Sequence, residues 1–159
     1  PANFLFYKFI KMALPSSKFI HVHRNPWDNA ISLFKANYQD TIIYSSSFFA
    51  IATEYSNYHH LMKFWEKLSG QPCFYSITYE DLVSKTNEMI KKLWDHCGLK
   101  GEFSFEKRKS HYANTASQQQ VSQDIYSTSL KKEAFTEYKD QFYSDLSQQD
   151  SFWKKIDLL

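Results

Sequence analysis

The sequence predicts an α/β domain built on a parallel β-sheet. Its 159 residues, with 18% aromatic and 23% charged side chains, are enough for one domain with a sizeable core and do not have the composition of a disordered chain. Two short strand-like segments, residues 18–24 and 73–78, lie between helical patterns. That order of helices and strands is typical of domains whose parallel strands are joined by helical crossovers.

The first part of the chain predicts a helix, a strand and a second helix. Residues 4–14 are apolar nearly all round and end before a proline, which predicts a short buried helix. Residues 18–24 alternate in polarity and contain β-branched side chains, as a strand does. Asn25 then has the position of an N-cap and Pro26 that of the first residue of a helix, with Asp28 in its first turn, extending to about residue 38.

The longest helical pattern follows. Aromatic and aliphatic side chains recur at i, i+3 and i+4 spacing over residues 48–65, which predicts an amphipathic helix that ends near Gly70 and places these side chains in the core. After the strand at 73–78, residues 79–81 close the strand and a third helix ends at Gly98, its C′ residue. Its apolar face carries Ile90, Leu93, Trp94 and Cys97. A last helical stretch contains Phe135, Tyr138 and Phe142.

Glycine is scarce, and its positions exclude one kind of site. The chain has three glycines, Gly70, Gly98 and Gly101, where ordinary usage of about 7% gives roughly eleven. No arrangement of these three makes GxGxxG or GxxxxGK[ST], so a glycine-rich phosphate loop is excluded within these residues.

Charge, hydropathy and cysteine usage bound the partners and the location. A formal charge of +2 implies neither a nucleic acid nor an anionic membrane as partner, and no apolar run approaches the roughly 18 residues of a spanning helix.

The start at Pro1, without a signal-peptide pattern, predicts a fragment of a longer polypeptide. Cys73 and Cys97 form no disulfide framework, so reduced thiols and a cytoplasmic protein are expected. His21 and His23 share a strand face, but without a third ligand at suitable spacing we expect no metal site.

Polar side chains follow both strands where each strand ends: Arg24 after the first, Tyr79 and Glu80 after the second. Ligands of open parallel sheets bind at that edge. Arg24 also directly precedes a helix N-terminus, whose free amides and dipole suit an anion, and a guanidinium can bind a phosphate through two parallel hydrogen bonds. The pattern predicts a phosphate or sulfate site at Arg24 and Asn25. The alternative is a surface arginine that pairs with Asp28 or Glu80.

The segment at this position is similar to that of a known family. Residues 18–34, KFIHVHRNPWDNAISLF, closely resemble the 3′-phosphate-binding segment of sulfotransferases that use 3′-phosphoadenosine 5′-phosphosulfate (PAPS), with Arg24 followed eight residues later by Ser32. His23 stands where the family usually has an arginine. Further similar segments follow in the family's order: ITYEDL at 77–82, DHCGL at 95–99, TASQQQV at 115–121, IY at 125–126, and Lys132. PANF at residues 1–4 resembles bacterial-type members associated with tetratricopeptide repeats, which are similar to tyrosylprotein sulfotransferases.

The resemblance covers roughly residues 1–141 and implies a fold. That fold is a P-loop-NTPase-like, three-layer α/β structure with a parallel sheet, present here only in part. It implies one partial domain over residues 1–159: a sheet-and-helix core at 1–99, a cofactor-covering loop at 100–132 and a C-terminal helical tail at 133–159.

The resemblance also implies roles for five residues. Arg24 and Ser32 match the pair that holds the 3′-phosphate, and Tyr79 matches the tyrosine that contacts the adenine. Ser117 and Lys132 match the loop residues that reach the cofactor phosphates. No metal is implied.

The implied reaction moves the sulfuryl group of PAPS to an acceptor hydroxyl or amine of a small molecule, glycan or peptide, and releases adenosine 3′,5′-bisphosphate. In this family the 5′-phosphosulfate loop and the catalytic base lie N-terminal to the position of Pro1, so the isolated chain is expected to be inactive. Two other functions stay open at this point: a P-loop-like small-molecule kinase, and a non-catalytic interaction domain on the same scaffold.

Overall fold

A computed structural model of the chain describes residues 3–36, 42–69, 73–101 and 135–156. Two strands, β1 (Phe19–His23) and β2 (Phe74–Thr78), alternate with helices. The helices are α1 (Tyr7–Ala13), α2 (Pro26–Ala36), α3 (Phe48–Ser69), α4 (Tyr79–Ser84), α5 (Thr86–Cys97) and α6 (Lys139–Ile156). Short 3₁₀ turns at Asn3–Phe6, Ile43–Ser46 and Thr136–Tyr138 precede α1, α3 and α6. The expectations for Gly70, Ser117, Lys132 and the covering loop beyond residue 101 lie outside the described residues.

The two strands are parallel, as predicted. Their register runs from Phe19 opposite Phe74 to His23 opposite Thr78, and α2 and α3 form the crossover between them. In the described part of the chain the sheet has these two strands. The α/β character and the parallel pairing are therefore confirmed. Residues 79–81, predicted to close β2 as a turn, form the first turn of α4 instead.

The larger hydrophobic core joins α2, α3 and α6. Phe142 of α6 is fully buried, and its ring centroid lies 5.5 Å from that of Trp27 on α2. The other buried members of this core are Ala30, Ile31, Ile51, Ala52 and Leu146. Polar contacts support the same interface, since Asp150 Oδ1 accepts a hydrogen bond from Ser56 at 2.6 Å and lies 3.2 Å from His60 Nε2. The α6 helix thereby holds the two crossover helices together.

A second, smaller core packs α1 and α3 against the start of the sheet. Its buried members are Tyr7, Met62 and Phe74. Tyr7 stacks on Trp65 with ring centroids 5.1 Å apart, and its hydroxyl contacts Ser69. The core places α3 across one face of the strands.

The prediction of a helix over residues 4–14 is confirmed by the 3₁₀ turn and α1, but the prediction that this helix is buried is wrong. Tyr7 is its buried side chain, whereas Leu5, Phe9 and Met12 are 52%, 69% and 69% exposed. An apolar pattern all round a helix indicates that every face could be buried. It does not indicate how many faces pack against neighbouring elements.

Gly98 ends α5 as predicted. Its φ of 68° lies in the left-handed region, and its N–H donates to the carbonyl oxygen of Asp95 at 3.0 Å. Glycine is favoured here because a Cβ strains this backbone conformation.

Replacing Phe142 with alanine tests whether the α6 contact stabilises the domain. Removing a fully buried phenylalanine costs about 3–5 kcal/mol of unfolding free energy. The matched control is Phe152→Ala on the same helix, because Phe152 is 59% exposed, and we expect it to cost less than about 1 kcal/mol. Urea denaturation of both variants measures the difference. Equal losses would contradict the assignment of Phe142 to the core.

Candidate functional site

The parallel pairing brings two of the predicted site residues together. Arg24 follows β1 and Tyr79 follows β2, so both lie at the carboxyl edge of the sheet. The Cζ atom of Arg24 lies 4.9 Å from the centroid of the Tyr79 ring. A guanidinium at this distance is attracted electrostatically by the face of the ring. The structure therefore places Arg24 and Tyr79 at the shared edge that the strand ends predict, and in contact with each other.

Asn25 caps α2, which changes the expected chemistry of the helix N-terminus. Its Oδ1 accepts hydrogen bonds from the N–H groups of Trp27 at 3.0 Å and Asp28 at 3.3 Å. The Asn29 N–H donates to the carbonyl oxygen of Asn25 at 3.0 Å. The expectation of free amides is wrong, because the cap already occupies these donors. The guanidinium of Arg24 and the positive end of the helix dipole are what this end of the sheet offers an anion.

Glu80 links the two strand ends. Its Oε1 accepts a hydrogen bond from the Asn25 N–H at 3.0 Å, across the gap between α4 and the start of α2. The carboxylate therefore sits beside the Arg24–Tyr79 pair, with one of its oxygens already bonded to the backbone. This contact gives Glu80 a structural role at the start of α2.

The first turn of α4 is fixed by a reciprocal pair of hydrogen bonds. Thr78 Oγ1 accepts from the Asp81 N–H at 3.0 Å, and its hydroxyl donates to Asp81 Oδ2 at 2.8 Å. These bonds and the Lys85 ammonium lower the pKa of Asp81 below its ordinary value. Tyr79 is the first residue of this helix. The cap therefore fixes the backbone from which the Tyr79 ring extends.

Tyr55 on α3 holds the end of β1. Its hydroxyl donates to the carbonyl oxygen of Arg24 at 3.1 Å. Burial, with smaller contributions from nearby acidic groups and tyrosines, raises the pKa of Tyr55 to about 12, so the donor proton is retained at neutral pH. The periodicity placed Tyr55 in the core and missed this bond. The sequence did carry one signal for this bond. Residue 55, at a half-buried position of α3 that faces the strand, is a tyrosine rather than a phenylalanine.

His21 is a residue of β1 and has a polar contact at each of its two ring nitrogens. Its Nε2 contacts the Tyr58 hydroxyl, and its Nδ1 lies 3.2 Å from Ser76 Oγ on β2. The His23 ring is 5.2 Å away, which confirms that the two histidines share a face. Burial, followed by the neighbouring His23 and His59, lowers the pKa of His21 to about 4. The imidazole is therefore neutral near pH 7.

Ser32 is another predicted site residue that the structure describes. Ser32 lies half-buried on α2, one turn beyond Asp28 and about 9 Å along the helix from Pro26 at the usual rise. Its role, like those of Ser117 and Lys132 outside the described residues, stays a prediction.

Two further features concern the residues that the structure describes. There, no group of three or more His, Cys, Asp or Glu side chains is placed to hold a metal ion. Of the helices in the same ranges, none is both long enough and apolar enough to cross a membrane.

Comparisons with known proteins identify the family. Residues 1–103 match the model of the sulfotransferase family. An uncharacterized protein of Aquifex aeolicus (strain VF5) is 30% identical over 139 residues, an alignment that covers 83% of this chain and 18% of that protein. The chain thus spans about a fifth of the length of this relative. No solved structure matches the chain.

Acidification tests the environment of His21. Its pKa lies near 6.5 when unfolded and about 4 when folded, so the folded state resists protonation. The free energy of unfolding should be independent of this group above about pH 6.5, fall between pH 6.5 and 4, and level off below. Protonation of Asp81 reduces the free energy of unfolding only at lower pH, because folding lowers the pKa of this carboxyl from 3.8.

Urea denaturation at pH 7.0, 5.5 and 4.5 measures this dependence. His21→Gln should show a smaller loss over the same interval, the remainder coming from His59, whose pKa is also lowered by burial. An unchanged loss in the variant would place the titrating group elsewhere.

Proposed function

The chain belongs to the sulfotransferase family, and from that premise we propose that it binds the 3′-phosphate and adenine of PAPS in an enzyme of sulfuryl transfer. The acceptor would be a hydroxyl or amine of a small molecule, glycan or peptide. The bound PAPS supplies the activated sulfuryl group.

The Arg24–Tyr79 pair is the observation that supports this proposal best. The guanidinium lies 4.9 Å from the tyrosine ring centroid at the carboxyl edge of two parallel strands, where ligands of such sheets bind. A guanidinium has five N–H donors in one plane and can bind a phosphate through two parallel hydrogen bonds. The aromatic ring next to it offers a flat surface to a purine. A site in which hydrogen-bond donors to a phosphate lie in contact with an aromatic ring fits the 3′-phosphate and adenine end of the cofactor.

The proposed role of this chain is to bind and orient rather than to move a proton. Glu80, the carboxylate at the site, accepts the Asn25 N–H and thereby holds α2 against α4. Tyr55 fixes the backbone of Arg24 from the other side. We place the catalytic base and the 5′-phosphosulfate loop outside these 159 residues and expect the isolated chain to bind nucleotide without catalysing transfer.

Finer features of the protein are part of the same proposal. They are the P-loop-like three-layer fold, tetratricopeptide repeats elsewhere in the parent protein, and a cytoplasmic location. The free thiols of Cys73 and Cys97 support the location. The Aquifex relative, of which the alignment covers 18%, has the length to contain further domains. Ser32, Ser117 and Lys132 complete the proposed cofactor contacts.

Calorimetric titration with adenosine 3′,5′-bisphosphate and with ATP tests the function. We expect the bisphosphate to bind more tightly, and Arg24→Ala to weaken it roughly 10- to 150-fold, because a hydrogen bond to a charged group contributes about 1.5–3 kcal/mol. Lys85→Ala is the matched control: Lys85 is also basic and near β2, but it pairs with Asp81.

Three results would overturn the proposal. ATP binding as tight as or tighter than the bisphosphate would favour a kinase. Absence of binding, both in this chain and in a longer natural protein that contains it, would favour an interaction domain. Unchanged affinity in Arg24→Ala would show that the site is elsewhere.

The Tyr55 contact gives a separate prediction. Tyr55→Phe removes the hydrogen bond to the Arg24 carbonyl and should lower the free energy of unfolding by about 1 kcal/mol. It should also weaken binding of the bisphosphate several-fold, because Arg24 is held less firmly. Tyr58→Phe loses the His21 contact instead, so it should reduce stability while leaving the affinity unchanged. Equal affinities in the two variants would contradict the positioning role of Tyr55.

A further inference from the structure

A cavity near Arg24 has the size and lining of a small-molecule site. Its volume is about 330 Å³, and residues of β1, α2, α3 and the 3₁₀ turns before α1 and α3 line it. Sites for small ligands typically have volumes of about 300–1,000 Å³ and are mainly apolar, with a few polar groups that fix orientation. The apolar part of this lining is Phe4, Val22, Leu33 and Ile51. A cavity at the lower end of that range suits a ligand of one ring and a short chain.

The cavity adjoins the strand end that carries Arg24. Tyr55 lines the cavity, and its hydroxyl donates to the carbonyl oxygen of Arg24 at 3.1 Å. Val22 and Asn29, both in the lining, bracket Arg24 in the chain. A ligand in the cavity therefore lies beside the backbone that positions the proposed cofactor site.

The polar groups of this lining are neutral or acidic. Glu54 is half-buried, and within the described ranges its carboxylate forms no hydrogen bond and no ion pair. Asn29 adds an amide, and Tyr44 adds a hydroxyl. Burial, followed by the negative charge of Glu54, raises the pKa of Tyr44, so this hydroxyl keeps its proton near pH 7. No lysine or arginine lines the cavity in the part of the chain that the structure describes.

A carboxylate beside aromatic rings suits an ammonium group. The carboxylate can accept charge-assisted hydrogen bonds from it, and the faces of tyrosine and phenylalanine rings attract a cation. The rings available in this lining are those of Phe4, Tyr44, Tyr55 and Tyr58. An anion such as a phosphate is disfavoured here, because its charge has the same sign as that of Glu54.

We propose that this cavity binds the acceptor of sulfuryl transfer, and that the acceptor carries a primary ammonium group, bound by Glu54, on a body the size of one ring. The inference rests on the proposed function and names the class of acceptor. The ammonium is the recognition group, and a hydroxyl elsewhere on the acceptor is the nucleophile. Its oxygen bonds to sulfur, the bond from sulfur to the 5′-phosphate oxygen breaks, and its proton goes to the base that we place outside these 159 residues.

Opposite charges would then sort the two ligands between neighbouring sites. Arg24 attracts the anionic cofactor, and Glu54 attracts the cationic acceptor. A neutral acceptor of the same size would use the apolar lining but would leave the carboxylate of Glu54 without a partner. The proposal therefore predicts a preference for the amine over its neutral analogue.

NMR titration of the 159-residue chain with tyramine tests this preference. Tyramine has an ammonium group, one aromatic ring and a hydroxyl, and the backbone amides of Asn29 and Glu54 should shift and saturate as it binds. 4-Ethylphenol has the same ring and hydroxyl without the ammonium group. It should bind at least about 10-fold more weakly, because it loses the hydrogen bonds to a charged partner. Equal affinities would overturn the proposal.

Substitution of Glu54 tests the residue itself. Glu54→Gln preserves the size of the side chain and removes its charge, so it should weaken tyramine binding at least about 10-fold and leave 4-ethylphenol binding unchanged. Glu66→Gln is the matched control on α3, because Glu66 is exposed and is not among the described lining residues. It should leave both affinities unchanged. Tyramine binding that is the same in Glu54→Gln and in the unmodified chain would contradict the assignment.

Titration with adenosine 3′,5′-bisphosphate separates this proposal from the proposed function. The bisphosphate should bind Glu54→Gln as tightly as the unmodified chain and should not compete with tyramine. Competition would place both ligands in one site and overturn the acceptor assignment. Bisphosphate binding without tyramine binding, in this chain and in a longer natural protein that contains it, would overturn the acceptor site alone. Tyramine binding without bisphosphate binding in both proteins would contradict the proposed function and, with it, the acceptor role.

Discussion

The parallel pairing of β1 with β2 is the constraint on which the site depends. Because Phe19 lies opposite Phe74 and both strands run in the same direction, the residues that follow His23 and Thr78 meet at one edge. A slip of one residue would turn the strands' side chains to the other face and separate Arg24 from Tyr79. The contacts of Tyr55 with Arg24 and of Glu80 with Asn25 then hold this edge in place.

The supporting structure explains how a small sheet can keep that register. The core formed by α2, α3 and α6 packs behind the crossover, and the Tyr7 core packs at the start of the strands. These two cores lie toward opposite ends of α3, so one long helix fixes both the beginning and the end of β1. Beside these cores, the side chains of Ile20 and Val22 on β1 are 43% and 47% exposed.

Much of this arrangement follows from the sequence. The caps at Asn25 and Gly98 and the long helix rest on local rules that the structure confirms. The parallel pairing follows from the order of helices and strands along the chain, and the structure confirms it as well. The strand ends also predict that Arg24 and Tyr79 share an edge. The uncovered faces of α1 did not follow, because burial depends on what packs against a helix. The hydrogen bonds of Tyr55, Glu80 and His21 did not follow either, because they join residues 31–55 positions apart and local patterns carry no such information.

The central claim is that the Arg24–Tyr79 pair binds a 3′-phosphate next to an adenine. NMR titration that follows the Arg24 side-chain Nε–H and the Tyr79 amide tests it most directly. With adenosine 3′,5′-bisphosphate, both resonances should shift and saturate together. With adenosine 5′-monophosphate, which lacks the 3′-phosphate, Tyr79 should still shift while Arg24 moves little. Saturable binding of the bisphosphate that leaves the Arg24 resonance unmoved would contradict the claim.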